Sequence, residues 1–274
     1  MDQFIPLQNH FNRHLTIGGF PELVLSDDDA YAQRMLREDV VDKVIKRDVL
    51  SLFHIRSPLL MEKLFLYLCM NGTEIFNATA AAKELENTSV STIESYIQVL
   101  EMSNLIYVAN PMDVGSKGAL KGRPQIFIAD AAISNAVLMI DDVLSDESEL
   151  GAMVEATVYK HMVSFYQGSP AQLGYFRKAK DNQKEVDVVV KLPRQKILCE
   201  VKYRNNSHIP ASDAIVELCR DEKANVTNAF LITKRLDDFG AARHETPVPI
   251  LRVPAIVFLY LLGKMEAQGY SGKL

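Results

Sequence analysis

The chain has 274 residues, 48% of them hydrophobic and 24% charged, with a formal net charge of −5. This is an ordinary globular balance, enough for two modest domains, and it excludes a fold that depends on disulfides or a structural metal for its stability. The acidic total argues against tight nonspecific binding of nucleic acid by the surface as a whole. Charge is nevertheless segregated: Arg177 to Arg204 holds nine Lys/Arg against four Asp/Glu, and Asp141 to Glu155 holds six acids and no base. Cys69, Cys199 and Cys219 lie in apolar settings without a CxxC pair, which reads as buried free thiols in a reducing cytoplasm. Met-Asp-Gln-Phe at the start has neither the basic nor the apolar region of a signal peptide, and the longest apolar run, Ala255 to Leu262, is too short for a bilayer. No membrane partner is expected.

Residues 1–57 read as an N-terminal helical linker segment. Ile17-Gly18-Gly19-Phe20-Pro21-Glu22 is a break, and Ser26-Asp27-Asp28-Asp29 offers caps and acids for a helix start. Tyr31, Met35, Val40, Val41, Val44, Ile45 and Val49 then recur at helical spacing.

Residues 58–125 read as a winged-helix-like domain. Ser57-Pro58 opens a helix that stops at Asn71-Gly72, and Asn77 caps a short one to Leu85. Ser91, with Glu94 three residues on, forms a capping box for a third helix through Met102. Strands at Leu105–Val108 and Gln125–Ile128 flank a polar loop, so the third helix would be the recognition helix and Lys117–Arg123 the wing. Lys117, Lys121 and Arg123 are the wing's candidate phosphate contacts. The third helix presents Ser91, Thr92, Glu94, Ser95, Tyr96, Gln98 and Glu101 and carries no Lys or Arg, which favours a protein-binding use at least as much as a DNA-binding one.

Residues 126–274 change to an α/β pattern. A helix over Gly151–Gln167 has Val154, Val158, His161, Met162 and Phe165 on one stripe, where His161 reads as a packed side chain rather than a ligand. Strands follow at Leu173–Arg177, Val186–Leu192 and Lys196–Tyr203, then a helix near Ala211–Lys223 and a strand at Ala229–Thr233. Val253–Leu262 reads as a cover for a sheet edge.

The chemistry sits on two of these strands. Glu185-Val186-Asp187 opens one, and Glu200-Val201-Lys202 lies on the next. Alternation puts Glu200 and Lys202 on one face, and neighbouring strands lie about 5 Å apart, so Asp187 can stand across from Glu200. Two carboxylates so placed make a hard oxygen site for Mg²⁺ or Mn²⁺, and Lys202 can orient an attacking water or neutralise charge on a phosphate. Lys202 is expected on a strand edge beside solvent, where its removal should cost little stability. Glu155, one helix earlier, is the fourth candidate, and Arg177 and Lys178 extend the basic surface. Glu200–Lys202 alone would be an ordinary ion pair on an exposed face; the order helix with Glu, strand with Asp, strand with ExK is what points to a PD-(D/E)XK nuclease-like domain.

The sequence also resembles the C-terminal region of a group of archaeal and bacterial AAA+ ATPases. The resemblance rests on Gly18-Gly19-Phe20-Pro21-Glu22, Asp39 and Asp48, Ser91-Thr92 through Tyr96 to Leu100-Glu101, and Leu105-Ile106. It continues through Ser116-Lys117, Pro124 with Phe127-Ile128-Ala129-Asp130, Gly151-x-x-x-Glu155, Tyr175-Phe176-Arg177, Glu185-Val186-Asp187 and Glu200-Val201-Lys202. It implies a winged helix joined to a PD-(D/E)XK domain, with Glu155, Asp187, Glu200 and Lys202 in the nuclease positions, and a AAA+ ATPase module as partner in a full-length protein. No G-x-x-x-x-G-K-[ST] is present, so no ATP site is expected in this chain. The expected function is metal-dependent DNA phosphodiester cleavage; the alternative is a non-catalytic DNA- or protein-binding module on the same α/β (α+β) fold.

Overall fold

The computed structural model describes residues 4–53, 55–85, 87–115, 123–140, 142–178 and 181–272. The chain begins with helices α1 (Leu7–Ile17), α2 (Pro21–Val24) and α3 (Asp29–Arg37), a π-helix over Glu38–Val49, and α4 (Leu50–Leu52). Then come α5 (Pro58–Asn71), α6 (Ala78–Glu84), α7 (Val90–Met102), β1 (Ile106–Pro111), β2 (Gln125–Ile128), α8 (Ala131–Leu138) and α9 (Glu147–Phe165). The remainder is β3 (Gln172–Lys178), β4 (Asp181–Lys191), β5 (Lys196–Lys202), α10 (Ala214–Arg220), β6 (Val226–Thr233), β7 (Gly240–Ala241), β8 (Ile250–Pro254) and α11 (Ala255–Ala267). Among the described residues no helix is long and apolar enough to cross a membrane.

These elements form two compact units. A helical unit takes Asn9–Val108 and Gln125–Ala156, and a sheet unit takes Met1–Gln8, Ala109–Pro124 and Thr157–Leu274. No cut falls at the expected 57/58, because Leu36, Val40 and Ile45 share one apolar core with Leu64, Phe65, Ile93 and Leu100. One falls between Pro124 and Gln125, a residue from the expected 125/126, and others at 108/109 and 156/157.

In the helical unit, Asp28 caps α3 by accepting the Tyr31 N–H at 2.9 Å. Val40, Ile45 and Val49 are buried at spacings of five and four, which suits the wider turn of a π-helix better than an α-helix. Ser57 caps α5, and Gly72 ends it at φ +48°. Asn77 caps α6. The cap of α7 is Ser89, not Ser91: Ser89 Oγ accepts the Thr92 N–H at 3.1 Å, and Ser91 lies inside the helix, so the expected capping box does not form. Tyr96, expected on the outer face, is turned inward, and its hydroxyl accepts the Ser57 N–H at 3.0 Å.

Helix α8, which the sequence pattern did not indicate, starts at the buried Asp130. That carboxylate accepts the N–H groups of Ala132 and Gly19, each at 3.1 Å. Gly18 turns there at φ +78°, where a Cβ would stand 2.8 Å from Asp130 Oδ1. The glycine break and the distant aspartate are therefore one device.

In the sheet unit the strand order is β3-β4-β5-β6-β8-β7. β3, β4 and β5 run antiparallel, β5, β6 and β8 run parallel, and β7 returns antiparallel at the edge. The last residues of β1 pair with β3 in parallel, Asn110 against Gly174. α10 makes the crossover between the parallel strands β5 and β6, as parallel pairing requires. It packs Ile215 and Leu218 against Val186, Val189, Leu198 and Leu231. Val253–Leu262, expected to cover a sheet edge, is instead the end of β8 and the first turns of α11, which lies against β6 and β8. All three cysteines are buried free thiols.

Gly174 is required by the β1 pairing, since a Cβ there would lie 2.1 Å from the Asn110 carbonyl oxygen. Gly174→Ala is expected to destabilise by about 3 kcal/mol, the upper range for overpacking, because backbone rather than a flexible side chain must give way. Urea denaturation checks this, and a midpoint equal to wild type would show that the strands part without cost.

Candidate functional site

β4 and β5 pair through Val188 with Cys199, and one further step in that register sets Asp187 against Glu200. β4 is bulged at the same place. Tyr175 alone lies between Gly174 and Phe176 on β3, whereas their partners Val189 and Val186 enclose two residues, Val188 and Asp187. Such a bulge breaks the ladder locally and re-aims a side chain. Asp187 Oδ2 accepts the Val201 N–H at 2.6 Å, so the carboxylate takes up an amide just beyond the end of the paired stretch.

Leu198, Glu200 and Lys202 share a face of β5 by alternation, and Leu198 packs with α10. Glu200 is consequently 1% exposed and Asp187 7%. Lys202 Nζ donates to Glu200 Oε1, while Glu200 Oε2 is buried with no hydrogen-bond partner among the described residues. An unsatisfied buried carboxylate oxygen is costly, and two acids share one lysine here.

The electrostatics follow from that crowding. Burial pushes the Asp187 carboxyl up to about 6, partly opposed by Lys202 and the Val201 N–H. Burial, and then the charge on Asp187, drive Glu200 well above the usual carboxylate range, against the pull of Lys202. For Lys202 burial alone would lower the pKa, but the charges of Glu200 and Asp187 and the hydrogen bond to Glu200 outweigh it and raise it. Asp213, the residue that caps α10, adds negative potential at all three groups, a contributor the sequence pattern did not single out. Only 23% of the Lys202 side chain is exposed. The expectation of a solvated strand-edge lysine is thereby corrected, because Lys202 shares the face of β5 on which Leu198 packs with α10.

Glu155 is half-buried on the part of α9 that belongs to the helical unit. Arg177 faces Glu185 at 3.7 Å and Lys178 faces Glu217 at 3.5 Å, so both basic side chains already meet acids. Arg123 is exposed, and its carbonyl accepts the Tyr175 hydroxyl at 2.6 Å. Lys117 and Lys121 fall outside the described residues. His161 is half-buried, its Nδ1 2.8 Å from the Thr157 carbonyl, as a packed histidine would be. Among the described residues no three His, Cys, Asp or Glu side chains gather as a ready metal cage, so any ion at this site would rest on the two carboxylates with backbone and water oxygens.

Two family models match the chain. One, the domain of unknown function DUF8612, covers residues 8–144. The other, the domain of unknown function DUF4143, covers residues 150–253 and is a domain found in AAA-ATPase-associated proteins. An uncharacterized protein of Haemophilus influenzae is similar at 25% identity over 124 residues, 44% of this chain and 30% of that protein. The crystal structure of protein VC1899 from Vibrio cholerae aligns over 92% of this chain and 57% of that one, with 13% identity and a TM-score of 0.26. The chain thus spans well under two thirds of either relative.

Proposed function

The chain belongs, over residues 8–144, to the family of the domain of unknown function DUF8612, and we propose that its sheet unit, outside most of that match, is a metal-dependent DNA phosphodiesterase. Glu200 is the observation that carries this reading: buried, bonded to Lys202 through one oxygen, and without a partner at the other among the described residues, beside a second buried acid. Such a pair is short of positive charge, and hard oxygen donors of this kind suit Mg²⁺ or Mn²⁺. Asp187 and Glu200 would hold the ion, in keeping with the one or two carboxylates at which Mg²⁺ is usually bound. When bound, the ion would supply Lewis-acid polarisation of the phosphoryl group and a lowered pKa for the attacking water. Lys202 stays protonated between its two carboxylates, so it acts as a donor that orients the water or offsets charge on the phosphate, not as a base.

The element order supports the same reading. Helix, three antiparallel strands, helix and parallel strand, with Asp187 and the Glu200–Lys202 pair on the middle strands, is the order expected of a PD-(D/E)XK domain. Three helices followed by two strands fit the element order of a winged helix, with Lys117, Lys121 and Arg123, on the segment between those strands, as its phosphate contacts. The DUF4143 match supports a AAA+ ATPase module as partner. A second reading, a non-catalytic module that docks on DNA or protein, is favoured by the absence of Lys and Arg from α7 and by the acids already facing Arg177 and Lys178.

Nicking of supercoiled plasmid separates the two. With Mn²⁺ the wild-type chain is expected to nick, and Asp187→Asn and Glu200→Gln to lose about a hundredfold or more of that rate. No nicking by any of the three proteins, with Mg²⁺ or Mn²⁺ and on linear or single-stranded DNA, would leave the docking module as the reading.

A further inference from the structure

Beyond the acidic pair, a pocket of about 510 Å³ opens past the C-terminal ends of the parallel strands, between the segment after β5 and the segment joining β6 to β8. Crevices at that end of parallel strands are where open α/β sheets bind ligands. Its charged lining comes from Arg235, Arg243, Arg252, Asp237 and Asp238, beside histidine, asparagine and serine side chains.

The donors outnumber the acceptors. Both oxygens of Asp237 are taken by Arg235, and those of Asp238 by Arg252 Nη1 at 2.6 Å and by the Ser207 hydroxyl. Both acids are thus saturated from within the chain. By contrast, Arg243 is exposed and has no side-chain partner among the described residues, and the Nε of Arg252 is buried without an acceptor. The Arg252 side chain is 35% exposed and held by Asp238 through one terminal nitrogen, so the accessible part of its guanidinium stays available to an oxyanion in the pocket.

Its position says which oxyanion. Glu200 pairs with Leu231, and Leu231 with Arg252, so the acid and the arginine lie in one row on the same face of the sheet, two strands apart. At about 4.8 Å per strand the separation is roughly 10 Å. Successive phosphates of one strand rise about 3.4 Å along the axis and also wind round it, so a span of this order reaches a phosphate one or two nucleotides away.

We propose that this pocket binds a backbone phosphate of the DNA strand whose phosphodiester lies at Asp187 and Glu200, with Arg243 and Arg252 as the contacts and Asp238 as the residue that positions Arg252. The assignment rests on the nuclease reading of the acidic pair. It adds a specific demand, that affinity for DNA reside in a pocket two strands away from the site of cleavage.

The test is fluorescence anisotropy of a labelled short duplex with the full chain in EDTA, over a range of salt, alongside plasmid nicking in Mn²⁺. Arg243→Glu, at an exposed position, is expected to weaken DNA binding roughly tenfold and to flatten the salt dependence by about one unit, whereas Arg252→Lys, which loses the fork but keeps the charge, is expected to weaken binding roughly tenfold at a salt slope close to that of wild type. Asp187→Asn is expected to bind as well as wild type while failing to nick. Unchanged affinity in both pocket variants, with nicking still dependent on Asp187, would overturn the pocket and leave the nuclease standing. Binding lost in the pocket variants without nicking by any protein would keep the phosphate subsite and remove the nuclease. Calorimetry with inorganic phosphate and with a nucleoside triphosphate separates the sources. Tight binding of either without DNA binding would make the pocket a site for a free phosphate compound and overturn the proposal.

Discussion

Lys202→Ala should cost the metal-free protein about 3 kcal/mol at pH 8 and abolish cleavage. The Nζ is bonded to a carboxylate that is 1% exposed, and Asp187 lies close enough to act on it. Removing one partner of a buried ion pair usually costs about 3–5 kcal/mol, since the remaining charge has no counterpart. The low end applies because Glu200 can take up a proton in place of the lysine, helped by a pKa already well above the usual range. The penalty should therefore shrink at pH 5, where that proton is easily supplied. Urea denaturation of wild type and variant in EDTA at the two pH values measures it. A loss below about 1 kcal/mol at both would make the pair behave like a surface ion pair and return Lys202 to the solvated role first expected.

The second large effect concerns pH. Asp187 has a folded-state pKa of about 6, above its ordinary value of 3.8, so the folded chain holds this proton more tightly than the unfolded chain does. Stability from such a group is greatest in acid and falls as pH rises through that interval. Glu200 is displaced in the same direction and extends the fall towards higher pH. A displacement of this size corresponds to roughly 3 kcal/mol for Asp187 alone. Asp187→Asn retains an oxygen to accept the Val201 N–H but carries no charge. Relative to wild type in EDTA, it should gain about 3 kcal/mol of stability between pH 4 and pH 8. Saturating Mg²⁺ should raise the wild-type melting temperature at pH 8 and leave that of the variant unchanged. A stability difference that does not move with pH would mean that the carboxyl is not held protonated in acid, and the site would lose its electrostatic basis.

Much of the frame was legible in the sequence because local signals and tertiary packing agree. Ser57-Pro58, Asn71-Gly72 and Asn77 mark helix limits that the structure keeps. Strand spacing alone placed Asp187 opposite Glu200, and the register of β4 and β5 leads there. The cap of α7 was misread because Ser89 and Ser91 both fit the local pattern. The decision came from the chain entering the helix, where Asn87 is left-handed at φ +51° and Ser89 extended.

What stayed hidden depends on residues far apart in sequence. Lys202 lies on the face of β5 that packs with α10, a placement that no property of Glu-Val-Lys announces. The bond from Gly19 to Asp130 joins positions 111 residues apart. The stretch after β6 was passed over because β7 is only two residues long and β8 carries its arginine within an apolar strand, so neither alternation nor charge density drew notice.

The interleaving of the two units also limits how such a chain can be rearranged by recombination. The two family matches meet between residues 144 and 150, which looks like a seam at which one half might be exchanged for another. A break there would carry Ala109–Pro124 away with the first half, although those residues belong to the compact unit formed mostly by the second. Asn110 would leave without Gly174, and the donated half would arrive lacking the strand end that its own β3 expects. Exchange at the family seam should therefore yield chimeras with an unpaired strand edge, prone to aggregate. The two halves are better regarded as a single heritable piece than as interchangeable cassettes.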